Sequence, residues 1–123
     1  MKKFIALLLA LVTALSLVAC GSKDNGGSTD GDTVKIGIFE PTSGQNGAGG
    51  KKEILGIEYA NSIKPTVTIN GEEYKVELVT ADNASDASKA PAAAQTLISK
   101  GVSVVIGTYG SGCAIAAGDL FKS

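Results

Sequence analysis

Residues 34–60 read VKIGIFEPTSGQNGAGGKKEILGIEYA, and this stretch contains three successive patterns. The β-branched and apolar residues at 34–39 predict a strand, which Pro41 ends. Four glycines within residues 42–50 predict a loop. From 51 to 63, apolar residues recur at helical spacing and predict a helix. A strand, a glycine-rich loop and a helix in this order are typical of an alternating α/β fold.

The alternation continues along the rest of the chain. The further predicted elements are a hairpin or extended excursion at 66–69 and 74–80, a helix at 85–100, a strand at 102–106 and a helix at 113–121. Asn70-Gly71 is the tight-turn pair that favours the hairpin. Pro91 is tolerated only near a first turn, so the regular part of its helix should start near Ser88. Gly101 suits the end of that helix. The run at 102–106 is continuously apolar and predicts a strand buried on both faces.

Three main strands alternating with three helices favour one parallel sheet with helices on both faces, which is a doubly wound, three-layer α/β architecture. In such sheets, ligands bind beyond the carboxyl ends of the strands, where the strand order reverses. In the common 2-1-3 order, this point lies between the first and third main strands. The loops that follow these strands, at 41–50 and 107–112, are the most glycine-rich of the folded part. We therefore expect a binding site between them.

The first twenty residues carry an export signal. Lys2 and Lys3 precede an apolar run at 4–19 that is shorter than the roughly 20 residues of a membrane-spanning helix. The run ends in small residues, as signal peptides do. Leu17-Val18-Ala19-Cys20 resembles the lipobox of bacterial lipoproteins. The resemblance implies that Cys20 carries diacylglycerol and becomes the mature N-terminus; the alternative is an ordinary secretory signal that contains a cysteine.

The predicted organisation has three parts: a lipoprotein signal peptide at 1–19, a lipid-anchored cysteine with a flexible polar tether at 20–33, and a folded part at 34–123. Residues 21–32, GSKDNGGSTDGD, contain too little apolar surface to offset their ordering entropy. Stable anchoring requires two or more acyl chains. We therefore expect the folded part to be exported and held by lipid at the outer face of the cell membrane.

Composition excludes several classes of function. The 123 residues allow one domain at most, and eleven basic against twelve acidic residues form no basic stripe for nucleic acid. The sequence has no histidine, which rules out Ser-His and Cys-His catalysis and histidine-ligated metal. We predict no catalytic residue, metal or cofactor. Asp82 and Asp86 are interpreted as caps at a helix start rather than metal ligands. Cys113 is interpreted as a small buried residue, with a thiol of lowered pKa as the alternative.

Three motifs occur in order along the folded part: a strand followed by P-x-S-G at 41–44, I-N-G…L-V-x-x-D-x-x-S-D at 69–86, and V-I-G-x-x-x-S at 105–111. Together they resemble the first lobe of type I periplasmic-binding-protein-like receptors, and more narrowly the leucine/isoleucine/valine-type binding proteins of ABC transporters. The resemblance implies two lobes that close over a ligand, of which residues 34–123 form an incomplete first one.

The resemblance also implies a function. It indicates a non-enzymatic receptor that delivers an amino acid, branched-chain-like, or a related small amide or carboxylate to the permease and ATPase subunits of an importer. A ligand-sensing lobe of the same fold, not coupled to transport, is the alternative. The lipobox favours transport, because a sensor usually needs a segment that crosses the membrane.

Site residues follow from the same resemblance. In the family, a hydroxyl and backbone N–H groups after the third strand hold the ligand's carboxylate, and the matching residues are Ser111, Gly110 and Gly112. A helix N-terminus also favours an anion physically, because its first N–H groups are unpaired. The alternative is that Ser111 only caps the third helix.

The first loop departs from the family pattern. Many members place an aromatic ring against the ligand at a position that corresponds here to Gly49. Either Tyr109 supplies that surface from the other loop, or the pocket is more open. Gln45 and Asn46 are candidates for amide contacts with the ligand, with solvated turn positions as the alternative.

Overall fold

The computed structural model describes residues 31–122. In chain order the elements are β1 (Thr33–Glu40), α1 (Gly47–Ile63), β2 (Thr66–Ile69), β3 (Glu72–Asp82), α2 (Ala90–Ser99), β4 (Val104–Ile106), α3 (Ser111–Ala117) and a 3₁₀ turn (Gly118–Lys122). The predicted signal peptide, Cys20 and the tether up to residue 30 lie outside these residues. β1 begins at Thr33, which the sequence assigns to the tether. No helix within residues 31–122 is long and apolar enough to cross a membrane.

The strands form one sheet in the order β2-β3-β1-β4. β1 runs parallel to both β3 and β4, and β2 pairs with β3 in the antiparallel direction. Asn70 and Gly71 both have positive φ, 53° and 88°, as the tightest hairpin turns require. The predicted parallel sheet, its 2-1-3 order and its hairpin are confirmed.

Helices cover both faces of the sheet. α1 packs on β1, whereas α2 packs on β3 and β1 and also contacts α3. The main core lies on the α2 side, where Phe39, Val79 and Ala81 meet the buried residues Ala90, Ala93, Ala94, Leu97, Cys113 and Ala117. Alanines on α2 let this helix approach the sheet closely. Phe39 and Phe121 close the end of the core edge to face, with ring centroids 5.5 Å apart.

All three helices start at residues other than the predicted ones. α3 begins at Ser111 rather than at Cys113, and it passes into the 3₁₀ turn at Gly118. α1 begins at Gly47, so the prediction that residues 42–50 are all loop is wrong in its second half. The reason is packing: a Cβ on Gly50 would collide with the carbonyl oxygen of Pro41, so this glycine allows the first turn to lie against the preceding loop. α2 begins at Ala90 with Pro91 in its first turn, slightly later than Ser88. Gly101 follows α2 with φ 69°, as predicted.

The burial of β4 differs from its prediction. β4 covers only residues 104–106, and the side chains of Val104 and Ile106 are 51% and 42% exposed. Val105 packs against the core on the α2 side. On the other face, α1 packs on β1, and Val104 and Ile106 remain exposed. Within residues 31–122, β4 pairs only with β1, so it is an edge strand here.

Candidate functional site

Three loops meet at one edge of the sheet. β1, β3 and β4 are parallel, so their carboxyl ends point the same way, and Glu40 stands beside Asp82 in the register. The loops that follow occupy residues 41–46, 83–89 and 107–110. This edge is the switch point of the sheet, because the chain continues to β3 on one side of β1 and to β4 on the other.

Asp82 ties the first loop to the end of β3. Its carboxylate accepts hydrogen bonds from the N–H groups of Thr42 and Ala84, both 2.8 Å, and from the N–H and hydroxyl of Ser43, 3.3 and 2.6 Å. Partial burial raises the pKa of this carboxyl, but the hydrogen bonds from Ser43, Thr42 and Ala84 outweigh it and hold the pKa well below its usual range. The predicted cap role is therefore wrong for Asp82, because α2 begins only at Ala90 and the carboxylate is turned to the first loop.

Asp86 lies in the turn that leads into α2. Its carboxylate accepts hydrogen bonds from the N–H and hydroxyl of Ser88, 2.8 and 2.7 Å, and these bonds lower its pKa. The residue at the cap position of α2 is Lys89, not Asp86. Asp86 therefore stabilises the preceding turn rather than the first turn of the helix. The described residues contain no group of three or more side chains that could hold a metal ion.

Ser85 makes a second tie between the same two loops. Its hydroxyl donates to the carbonyl oxygen of Ser43 at 3.1 Å and accepts from the N–H of Asn46 at 2.9 Å. Ala84 and Ser85 both have positive φ, 56° and 59°, and this backbone conformation turns Ser85 back toward the first loop. The loop after β3 thus fixes the position of Asn46, the residue before α1.

Asn83 connects the ends of all three parallel strands. Its side chain is fully buried, and its amide nitrogen donates to the hydroxyl of Thr108 at 2.7 Å and to the carbonyl oxygen of Phe39 at 3.4 Å. Its amide oxygen accepts from the N–H of Ser85 at 3.1 Å. A buried amide with both ends bonded is favourable, whereas one left unbonded would cost about 1–3 kcal/mol.

Glu40 is the second buried polar side chain at this edge, and it holds the third loop. It is 2% exposed, and its carboxylate accepts a 2.8 Å hydrogen bond from the N–H of Tyr109. Burial raises the pKa of Glu40 to about 7; the Tyr109 N–H acts against that rise, and the neighbouring Glu53 adds to it. Gly107 has φ 137°, and a Cβ there would collide with the carbonyl oxygen of Phe39. Only glycine fits this point of close approach.

Tyr109 lies across the gap between the loops after β1 and β4. A Cβ built on Gly49 would be 2.7 Å from Cζ of Tyr109, so the ring occupies the space that a side chain at position 49 would fill. The ring remains half exposed. The amide nitrogen of Asn46 lies 3.7 Å from the corresponding Cβ position on Gly110, whereas Gln45 is exposed. The structure thus brings Gly49, Tyr109, Asn46 and Gly110 together.

Ser111 is the first residue of α3 and is exposed. Gly110 occupies the cap position, and no side chain of the described residues caps this helix start. The alternative that Ser111 caps α3 is therefore wrong. Gly112 is exposed beside it, and Cys113 is 4% exposed in the core. Burial and the charge of Asp86 raise the pKa of the Cys113 thiol, so the prediction of a small buried residue is confirmed and its reactive alternative is wrong.

Sequence reasoning missed three polar residues that organise this edge, namely Glu40, Asn83 and Ser85. One signal was available for Glu40, which directly follows the apolar strand pattern at 34–39 and so lies at the loop edge. No sequence pattern indicated that Glu40 would bond to Tyr109 or that Asn83 would bond to Thr108.

Comparison with known proteins agrees with this architecture. A family model described as periplasmic binding protein matches residues 33–123. A leucine-binding protein from Thermotoga maritima is 34% identical with a TM-score of 0.62, over 71% of this chain and 24% of that chain. A solute-binding protein of an ABC transporter from Rhodopseudomonas palustris, in complex with 3,4-dihydroxybenzoic acid, is 30% identical with a TM-score of 0.62, over 72% and 24% of the two chains.

A further solute-binding protein from Rhodopseudomonas palustris, in complex with benzoate, is 30% identical with a TM-score of 0.60, again over 72% of this chain and 24% of that chain. The curated proteins contain no match to the sequence. The chain spans about a quarter of the length of these solved relatives.

Proposed function

The chain belongs to the periplasmic binding protein family, and we propose that it acts as a receptor that binds a small solute outside the cytoplasm for an ABC importer. The observation that carries this proposal is the meeting of three tied loops at the switch point between β1 and β4. A fixed, open edge with unpaired donors is suited to holding a ligand.

The solute that we propose is a small carboxylate with an apolar body. Leucine, benzoate and 3,4-dihydroxybenzoic acid, which the names of the solved relatives give, share this chemistry. A branched-chain-like amino acid is the finer form of the proposal, and a related small amide or carboxylate is its wider form. A solute of this kind needs a polar surface that binds its carboxylate and an apolar surface that contacts its body.

The polar surface is the start of α3. The hydroxyl of Ser111 is exposed and does not cap the helix, so it is available to donate to a carboxylate. Gly110 and Gly112 carry no side chains that would screen their backbone N–H groups, and we propose these groups as further donors to the carboxylate. The amides of Asn46 and Gln45 are the further polar contacts that we propose from the first loop.

The apolar surface is the ring of Tyr109. The absence of a side chain on Gly49 makes room for this ring, which remains half exposed toward the same edge. We propose that Tyr109 contacts the apolar body of the solute from the third loop. An aromatic face contributes both apolar area and a rigid plane for such a contact.

The proposed partners are the permease and ATPase subunits of an importer, and the proposed location is the outer face of the membrane, through a lipid on Cys20. The proposal includes no catalytic step. A sensing lobe on the same fold is the second candidate, and the lipobox at 17–20 is the feature that favours transport over it.

Binding of leucine and benzoate tests the proposal. A micromolar site needs about 8 kcal/mol, and a few hydrogen bonds at an open surface supply less after the entropy of association is subtracted. We therefore expect dissociation constants weaker than micromolar for this 123-residue chain, measured by NMR titration to millimolar solute. Shifts confined to residues of the three loops would support the site, whereas no shift with either probe would refute it.

Two pairs of variants locate the solute. In a protein that contains both lobes, Ser111→Ala should weaken binding by about 1–3 kcal/mol through the loss of a hydrogen bond to a charged group, whereas Ser62→Ala at the far end of α1 should not. Gly49→Ala should displace the Tyr109 ring and weaken binding, whereas Gly56→Ala, which meets open space, should leave it unchanged. Equal affinities within each pair would place the solute elsewhere.

A further inference from the structure

Glu40 is a buried carboxyl group at the binding edge to which the proposed function gives no role. It ends β1 and is 2% exposed. Phe39 faces the α2 side of the sheet, so by strand alternation Glu40 faces α1, as Ile36 does. A carboxyl group in such a place needs a partner, because burial of an unbonded charge is strongly unfavourable.

The partner of Glu40 is the loop that carries Tyr109. The N–H of Tyr109 donates to Oε2 of Glu40 at 2.8 Å, across 69 positions of sequence. The other oxygen, Oε1, lies 3.0 Å from the Cβ position on Gly107 in the same loop. Tyr109 is therefore placed by two contacts. Its backbone N–H bonds to Glu40, and its ring fills the space that the missing side chain of Gly49 leaves.

We propose that Glu40 is a positioning residue that holds Tyr109 against Gly49, and that gain or loss of a proton on Glu40 changes this hold and the affinity for an anionic solute. The part that concerns affinity rests on the proposed function, in which Tyr109 forms the apolar surface. The inference that Glu40 positions Tyr109 does not depend on the proposed function, because it follows from the contacts of Tyr109 with Glu40 and Gly49.

The surroundings of Glu40 favour a change of charge close to neutral pH. Burial raises the pKa of Glu40 to about 7, with the N–H of Tyr109 opposing and Glu53 of α1 adding to the rise. Asp82 on β3 stands beside Glu40 in the register, but its carboxylate bonds to the first loop. α2 packs on the opposite face of the sheet.

The two protonation states differ in what they do to the loop. Below about pH 7, a protonated Glu40 has a proton to share with Glu53 and accepts only a neutral hydrogen bond from Tyr109. Above about pH 7, the ionised Glu40 accepts a stronger, charge-assisted hydrogen bond from the Tyr109 N–H, but Glu53 repels it. The added negative charge behind Tyr109 also opposes a carboxylate solute, by about tenfold in affinity for unit charges several ångströms apart.

The test is a pH titration of the Tyr109 backbone amide by NMR in the full chain, which needs no ligand. We expect its proton and nitrogen shifts to move with an inflection near pH 7 in the native protein. Glu40→Gln, which mimics the protonated form, should abolish the inflection. Glu53→Gln should move it to lower pH by removing a like charge, and Glu58→Gln, exposed on the same helix, should leave it in place. A Glu40 that only fills space at this edge would give no inflection at the Tyr109 amide, whatever variant is made at Glu53.

Benzoate titrations at two pH values then separate the inference from the proposed function. Weaker binding at about pH 8.5 than at about pH 5.5, with the difference lost in Glu40→Gln, is the expected result. If neither benzoate nor leucine binds but the amide titrates as described, the proposed function fails and the loop role of Glu40 stands. The inference is overturned if the Tyr109 amide shifts show no inflection between about pH 5 and 9. It is also overturned if the inflection is the same in Glu40→Gln as in the native protein.

Discussion

Asp82 is kept ionised by four hydrogen bonds from three backbone N–H groups and one hydroxyl. The bonds reach forward to Ala84 and across to Thr42 and Ser43, so one side chain orders two loops. Hydrogen bonds to the charged form of a carboxyl lower its pKa, and the group then contributes stability above its ordinary pKa. The contribution is limited, because the carboxylate is partly in contact with water.

We expect Asp82→Ala to lower the free energy of unfolding by about 1–2 kcal/mol at neutral pH, after allowance for solvent exposure. Because the folded pKa is depressed, this contribution should be complete above about pH 4 and should shrink as the pH falls below that value. Urea denaturation at several pH values measures it. Asp119→Ala, which removes an exposed pair with Lys122, is the control. A difference that grows in acid would contradict this account.

Individual site residues differed in how far the sequence could predict them. Ser111 was indicated by its match to a family motif and Tyr109 by its place in the loop after an apolar strand, and both stay predictions as ligand contacts. The roles of Glu40 and Asn83 could not be predicted, because their partners Tyr109 and Thr108 lie 69 and 25 residues away. A hydrogen bond between distant residues depends on the strand order, which has to be known before such a pair can be seen.

Glycines set how closely the elements approach one another at the site. Gly107 lies against the backbone of β1, where a Cβ would meet the carbonyl oxygen of Phe39, and its φ of 137° is unfavourable for other residues. Gly112, five residues on, lies in the first turn of α3 with open space around it. The two glycines look alike in the sequence but have different physical roles.

We expect Gly107→Ala to destabilise the protein by about 2–4 kcal/mol, since it combines a backbone collision with a strained φ. Gly112→Ala should instead be neutral or stabilising by up to about 1 kcal/mol, because alanine is the better helix former. Thermal or urea unfolding of both variants provides the comparison. Equal destabilisation would show that the tight approach at Gly107 is not what fixes the third loop.

The order of the elements was predictable, and their ends were less so. Apolar alternation, Asn70-Gly71 and Pro91 were enough for the strands, the hairpin and α2. The start of α1 was not, because glycines that usually indicate a loop here allow a helix to pack on Pro41. β4 was expected to be buried on both faces, but an apolar pattern does not tell which neighbouring element is present to cover it.

At the scale of the whole molecule, the predicted signal peptide and lipid anchor would hold the proposed binding edge at the outer face of the membrane. We expect mass spectrometry of protein extracted from membranes to show a diacylglyceryl-modified Cys20 at the N-terminus. Cys20→Ala should abolish the modification and release the protein, whereas Cys113→Ala, which alters a buried core residue, should leave the anchor intact. A soluble mature form that starts elsewhere and is unaffected by Cys20→Ala would contradict the prediction.

The ties from Asp82, Asn83 and Ser85 all originate in residues 82–85, where β3 ends and its loop begins. Both loops of the binding edge are thus ordered during folding, before any solute arrives. Ordering a mobile side chain on binding typically opposes association by about 0.5–1.5 kcal/mol, and this penalty is small where the walls are already fixed. In the proposed receptor, loops that are fixed in this way would favour solutes that fit their existing arrangement over solutes that require the loops to move.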